Sequence, residues 1–246
     1  MNSIEGHILK LPRFSLGIVF LLFGIDKFVG YESYVAWFVA TERARVIIPT
    51  QDIGQFVYAL GIGELILAGL LFSGIIKRAT AIAASLALVT ILLVAQYPSS
   101  YPQDLGLLGI AVALAIFGSN SKITPIDQWF KLSKIIRFSL ITVLVLWSVD
   151  QIVNTSTHAD WLQLFNSIAR GLSTDQIFAF IISIAIIELV IAAFVASGRL
   201  PKYTYIVASV FFAVAMTLEP PLNGFQSIGL AMAASWLAYL SLKKRP

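Results

Sequence analysis

Apolar residues in this chain gather into eight long runs, interrupted by short polar stretches that carry nearly all the charge. The runs are Phe14–Val29, Ile53–Ser73, Ala79–Gln96, Leu105–Gly118, Phe138–Val153, Ile177–Ser197, Tyr203–Leu218 and Phe225–Leu242. A membrane-crossing helix needs about 20 apolar residues, and somewhat fewer suffice where neighbouring helices bury it. Helix breakers lie between the runs: Pro98 and Pro102, Pro125, Pro201, and Pro220-Pro221. The pattern predicts an all-α polytopic membrane protein with eight transmembrane helices.

The pattern is also duplicated. Arg13-Phe14-Ser15-Leu16 aligns with Arg137-Phe138-Ser139-Leu140, and the two halves stay in register without a gap to Ser73-Gly74 over Ser197-Gly198. Asp26 falls on Asp150, Trp37 on Trp161, and Glu64 on Glu188. Two membrane segments share apolar residues by composition alone, whereas shared acids and a shared tryptophan point to one unit repeated. The expected organisation is a four-helix repeat over 1–118, a connector over 119–136 and a diverged four-helix repeat over 137–246. The outer loops Gly30–Asp52 and Asn154–Gln176 are matched as well. Their aromatic segments, around Trp37 and Trp161, predict short helices at headgroup depth.

Charge placement gives the topology. Lys10, Arg13, Lys77, Arg78, Lys122, Lys131, Lys134, Arg137, Arg199, Lys202 and the terminal Lys243-Lys244-Arg245 all fall on one side if eight helices alternate, with Arg43, Arg45 and Arg170 as the basic exceptions on the other. The positive-inside rule then places both termini in the cytoplasm of a cell membrane. An even number of helices per repeat gives the repeats one orientation, related by an axis along the membrane normal. The polar Met1–Lys10 and the absence of a small-residue cleavage site predict that the first run stays attached as a span.

Composition fits this reading and narrows the chemistry. The chain is 58% hydrophobic and 12% charged, with mean hydropathy +0.86, against about 25% charged residues in soluble domains. The absence of cysteine excludes disulfides, thiol redox centres, iron–sulfur clusters and thiolate zinc sites. The only histidines are His7 and His158, outside the predicted spans, so haem ligation and Glu-x-x-His di-iron pairs have no residues to use. Phosphate loops and dinucleotide fingerprints are absent. The net charge of +4 follows from topology and calls for no nucleic-acid partner.

What remains are ionisable groups inside the spans, costly at about 2.5–3.5 kcal/mol each and functional candidates by default. Asp26 and Lys27 lie in the outer part of the first helix, and Glu64 lies near the middle of the second. Lys27 is within reach of Glu64 or of an acid from the other half. Asp26 points about 100° away from Lys27 and cannot share the same partner. The second half keeps Asp150 and Glu188 but has Gln151 in place of Lys27 and Ser148 in place of Gly24. The acids serve equally well as interhelical bonds or as a site. Gln96, Tyr97 and Tyr101 at the outer end of the third helix are candidate polar contacts. Gly61, Gly63, Ala68, Gly69 and Gly74 read as small residues for close helix packing.

These residues resemble a known family. Gly24-x-x-Lys27, Glu64 followed by Gly69, Gly74 and Arg78, and Gln103-Asp104-Leu105 resemble the pattern of the DoxX-like (DoxX/DoxD) integral membrane proteins. The likeness covers Phe14 to Gly118 well and the second half weakly, where Ser148, Gln151 and Ser227 stand in place of Gly24, Lys27 and Asp104. The resemblance implies a four-helix membrane module in or near respiratory and redox assemblies. Its relatives include a subunit of thiosulfate:quinone oxidoreductase and maturation proteins for secreted redox enzymes. Three functions are therefore expected candidates. The first is a membrane subunit of a quinone-linked redox complex, without its own metal centre and not an enzyme by itself, partnered by other redox subunits and membrane lipids. The second is a quinone-reducing subunit, in which Glu64 passes protons, Lys27 holds the quinone oxygen and Trp37 bounds the headgroup. The third is a small-molecule or lipid transporter lined by Asp26, Glu64, Asp150 and Glu188. A quinone or a lipid is the only expected small-molecule ligand in the first two.

Overall fold

In lipid the backbone finds no water to bond, so each apolar run satisfies its own amides by winding into a helix. The computed structural model of the chain describes residues 10–75, 77–94, 101–117, 126–165, 169–218 and 221–243, and these contain helices and turns with no strand. The first half holds α1 (Leu11–Val29), α2 (Tyr31–Ala40), α3 (Glu42–Ile47), a 3-10 turn at Thr50–Asp52, α4 (Ile53–Ser73), α5 (Lys77–Val94) and α6 (Tyr101–Phe117). The second holds α7 (Ile126–Val153), α8 (Thr155–Phe165), a 3-10 turn at Ala169–Gly171, α9 (Thr174–Ser197), α10 (Pro201–Leu218) and α11 (Pro221–Lys243).

Each of the eight expected runs forms a helix over its described residues. Among the described residues, the helical stretches Thr50–Ser73, Phe130–Val153, Thr174–Ser197 and Gly224–Leu242 are long and apolar enough to cross a membrane. The pair α1 and α2, bent by 93° at Gly30, is long and apolar enough to cross only if the two helices count as one span. The other expected crossings, α5, α6 and α10, are helices of 17 or 18 residues packed into the same bundle. Large apolar side chains stand uncovered on the outside, as Ile186, Ile187 and Phe194 do on α9. This is the surface that lipid covers. α7 begins at Ile126, inside the expected connector, and Leu132 and Ile136 are already part of the core.

Local signals fix the helix ends in both halves alike. α4 and α9 end on Gly74 and Gly198, with φ of 68° and 66°, the left-handed conformation that a glycine adopts without strain. An arginine from the first helix of each half closes that end. Arg13 Nη2 donates to the Phe72 carbonyl at 3.5 Å, and Arg137 Nε donates to the Val195 carbonyl at 2.8 Å. Guanidinium groups there meet carbonyls left unbonded by the helix and the negative end of its dipole. α9 also starts on a capping box, with Ser173 and Gln176 bonding each other's backbone N–H.

The packing interlocks the halves. Within each half the helices pair as α1 with α4 and α5 with α6, then α7 with α9 and α10 with α11. Across the halves α6 lies along α7, and α11 lies along α1. Glycines permit these close approaches: a Cβ on Gly109 would collide with Ser139, one on Gly106 with Val143, and one on Gly229 with Val19 and Leu107. A single apolar core results, with Leu16, Phe20, Leu107, Leu140, Leu144, Leu230 and Trp236 drawn from both halves. The short helices form smaller clusters of their own. Phe38, Ala44 and Ile48 close over Ile53 and Val57 on α4, and Ala159 closes over Ile177 and Ile181 on α9.

Candidate functional site

The buried charge sits where α1 and α4 come closest. Gly24 and Gly61 face each other, so that a Cβ on either would lie within 3.4 Å of the opposing helix's atoms. One turn further along each helix, that approach sets Lys27 against Glu64. Lys27 Nζ bonds both carboxylate oxygens, at 2.7 and 2.8 Å, and the two residues are only 4% and 2% exposed. The ammonium also lies 5.2 Å from the Phe23 ring centre and 4.8 Å from that of Tyr34. Ring faces at such distances attract a cation. Two charges withdrawn from water at a cost of several kcal/mol each are thus matched to one another in geometry and number.

Asp26 turns away from this pair, as its position one residue before Lys27 requires. It accepts a hydrogen bond from the Tyr34 hydroxyl at 2.8 Å, which ties α1 to α2 across the bend. Tyr34 therefore bridges the two acids' surroundings, its hydroxyl on Asp26 and its ring under Lys27. In the sequence Tyr34 is legible only as one aromatic of the outer segment around Trp37, not as a partner of Asp26. The available signal was its spacing of eight residues after the acid, which His158 repeats after Asp150.

The second half builds the same ties with different groups. Glu188 accepts hydrogen bonds from Ser148 Oγ at 3.0 Å and from Gln151 Nε2 at 3.3 Å. Asp150 accepts from Asn154 Nδ2 at 2.8 Å and contacts His158 Nε2 at 2.8 Å. Ser148 and Ala185 stand in place of Gly24 and Gly61, and the Ser148 hydroxyl reaches Glu188, the counterpart of the acid that Lys27 holds. Beside Glu188 is a cavity of about 10 Å³, lined by Gln103, Trp147 and Phe211 among others. A volume near 10–15 Å³ holds about one water molecule.

A further polar cluster joins the halves. Gln103 Nε2 donates to Ser227 Oγ at 3.1 Å, and Gln226 Nε2 donates to Asp104 Oδ1. All four side chains are buried. The arrangement is reciprocal: each half supplies a glutamine that bonds the residue following the other half's glutamine. Gln103-Asp104 was legible as a motif, but its partner Gln226 was not.

Among the other expected site residues, Trp37 is 41% exposed and packs edge-on against Phe38, with ring centres 4.8 Å apart. Trp161 is partly buried on α8. Gln96 and Tyr97 lie outside the described residues. The expectation for small residues on α4 needs one correction. Gly61 and Ala68 face neighbouring helices, but a Cβ on Gly63 or Gly69 would meet nothing within 4 Å. Gly63 and Gly69 lie off the buried stripe of Gly61, Glu64, Ala68 and Leu71. Gly74 serves as the αL cap rather than as a packing residue.

The helices, their uncovered apolar faces and the buried acids define an integral membrane protein of the all-helical class. Residues 8–97 match the family model DoxX, so this part of the chain is similar to the DoxX membrane proteins. No curated protein and no solved structure matches the chain.

Proposed function

We propose that this chain is an integral membrane subunit or accessory protein of a quinone-linked redox complex, and that it carries no catalysis of its own. In this reading it is a tandem pair of DoxX-type modules that crosses the cell membrane eight times with both termini in the cytoplasm. The positive-inside distribution of lysine and arginine supports that topology. A near right-angle turn from α1 into α2 supports placing α2 along the outer interface.

One observation carries the functional reading. Both intramembrane glutamates are engaged in interhelical bonds, and the tie persists in the half that has no lysine at that position. A group reserved for proton transfer to quinone would not need its counterpart to be bonded in the same way. Binding a quinone oxygen on Lys27 would first require opening the pair with Glu64. Transport through the interface between the halves would require separating Gln103 from Ser227 and Asp104 from Gln226. Membrane association with redox subunits requires neither.

The test is solubilisation of native membranes in mild detergent, followed by native electrophoresis and mass spectrometry of the band that contains this chain. The expected result is co-migration with redox-enzyme subunits in an assembly well above 26.9 kDa. Migration of the chain alone, with those subunits found elsewhere in the gel, would overturn the proposal.

A further inference from the structure

The α10–α11 pair carries a groove of about 310 Å³ that opens on the outside of the bundle. Its walls are Ile206, Ser209, Val210, Ser235, Ala238, Tyr239 and Leu242. Ser209 Oγ and Ser235 Oγ bond each other at 2.7 Å, and Ser209 donates to the Ala231 carbonyl at 3.0 Å. The hydroxyls at its floor therefore satisfy one another. These small side chains leave the space between the larger Ile206, Val210 and Leu242. The groove is elongated, because its residues fall at i, i+3 and i+4 along one stripe of each helix.

Lys202 lies one turn before Ile206, in line with Ile206, Ser209 and Val210 on α10. It is partly buried, and its ammonium is 5.4 Å from the ring centre of Tyr203. Tyr203 is 62% exposed, as an aromatic anchor at headgroup depth is. Arg199 precedes α10 and is exposed. α11 runs antiparallel to α10, with Ser209 against Ser235, so Leu242 lies at the same end of the groove as Lys202. An apolar channel that runs into positive charge has the chemistry of an anionic phospholipid, with a chain along the groove and a phosphate at the basic end. Basic clusters beside transmembrane helices recognise such headgroups.

The geometry points to a binding site for one anionic diacyl phospholipid between α10 and α11, with its acyl chain on Ile206, Val210 and Leu242 and its phosphate on Lys202. The site needs only that the chain lies in a membrane, and it does not depend on the redox complex proposed above. A second copy of this chain is the competing occupant, since small residues also suit helix association.

The experiment uses the full chain, equilibrated with an equimolar mixture of phosphatidylglycerol and phosphatidylethanolamine and read by native mass spectrometry. Ser235→Phe fills the groove from an exposed position, and Lys202→Gln removes the charge; thermal melting checks that both variants fold. Wild type is expected to keep one phosphatidylglycerol preferentially. Lys202→Gln is expected to lower that retention about fivefold, the contribution of one lysine at the surface of an anionic leaflet. Ser235→Phe is expected to abolish it. Three results would overturn the site: equal retention of both lipids, retention unaffected by either substitution, or a dimer that Ser235→Phe dissociates.

Discussion

Replacing Lys27 by methionine is expected to destabilise the folded protein by about 3–5 kcal/mol, the cost of leaving one member of a buried ion pair without its counter-charge. Glu64 is 2% exposed, so water cannot take the place of the ammonium without opening the α1–α4 contact. The double substitution Lys27→Met with Glu64→Leu is expected to recover most of that loss, because apolar residues of similar volume often replace a buried pair at little net cost. Reversible unfolding in detergent, followed by the helical signal, measures both. If the double variant is as unstable as Lys27→Met, the stranded charge is not the cause, and the close α1–α4 contact would have to depend on the residues' shapes.

Cutting the chain between Phe117 and Ile126 is expected to leave neither half stable as a monomer. Each half alone would expose the face of its fourth helix that packs against the other half's first. For the first half that face carries Gly106 and Gly109, and Gln103 and Asp104 on the same helix would also lose their bonds to Ser227 and Gln226 on the other half's fourth helix. In lipid these polar groups would have no water to replace those partners. Co-expressed halves are expected to purify together in equal amounts and to melt near the intact chain. A first half that purifies as a well-folded monomer would mean that each repeat closes its own core, against the shared one described above.

Much of the architecture was legible because it is written in local patterns. The runs of apolar residues marked the helices, and the register from Arg13 to Gly74 over Arg137 to Gly198 foretold bonds that recur in both halves. Arg13 and Arg137 reach equivalent carbonyls, and Lys27 and Gln151 reach equivalent glutamates. Depth along the helix was enough to bring Lys27 to Glu64, because a rise of about 1.5 Å per residue fixes height. Rotation about the axis was harder to read. Gly63 and Gly69 look like packing residues by type, and only the buried stripe on α4 shows that they face outward. The pairing of α6 with α7 and of α11 with α1 was not legible, since contacts between distant helices leave no periodic trace in either one. Tyr34 and His158 were missed as partners of the acids for a related reason. Their helices fold back over the acids at a bend whose angle the sequence does not state.

In the proposed function, the bonded pair Lys27 and Glu64 holds helices together and takes no part in proton or electron transfer. The most direct test replaces both with amides, Lys27→Gln together with Glu64→Gln, which keeps a hydrogen-bonded tie of the kind that Gln151 makes to Glu188. Quinone-dependent respiration would be measured in membranes that carry this variant as the only copy, alongside the amount of assembled complex. The account predicts normal assembly and turnover close to wild type. Normal assembly with turnover abolished would contradict it and would make Glu64 a proton-transferring group.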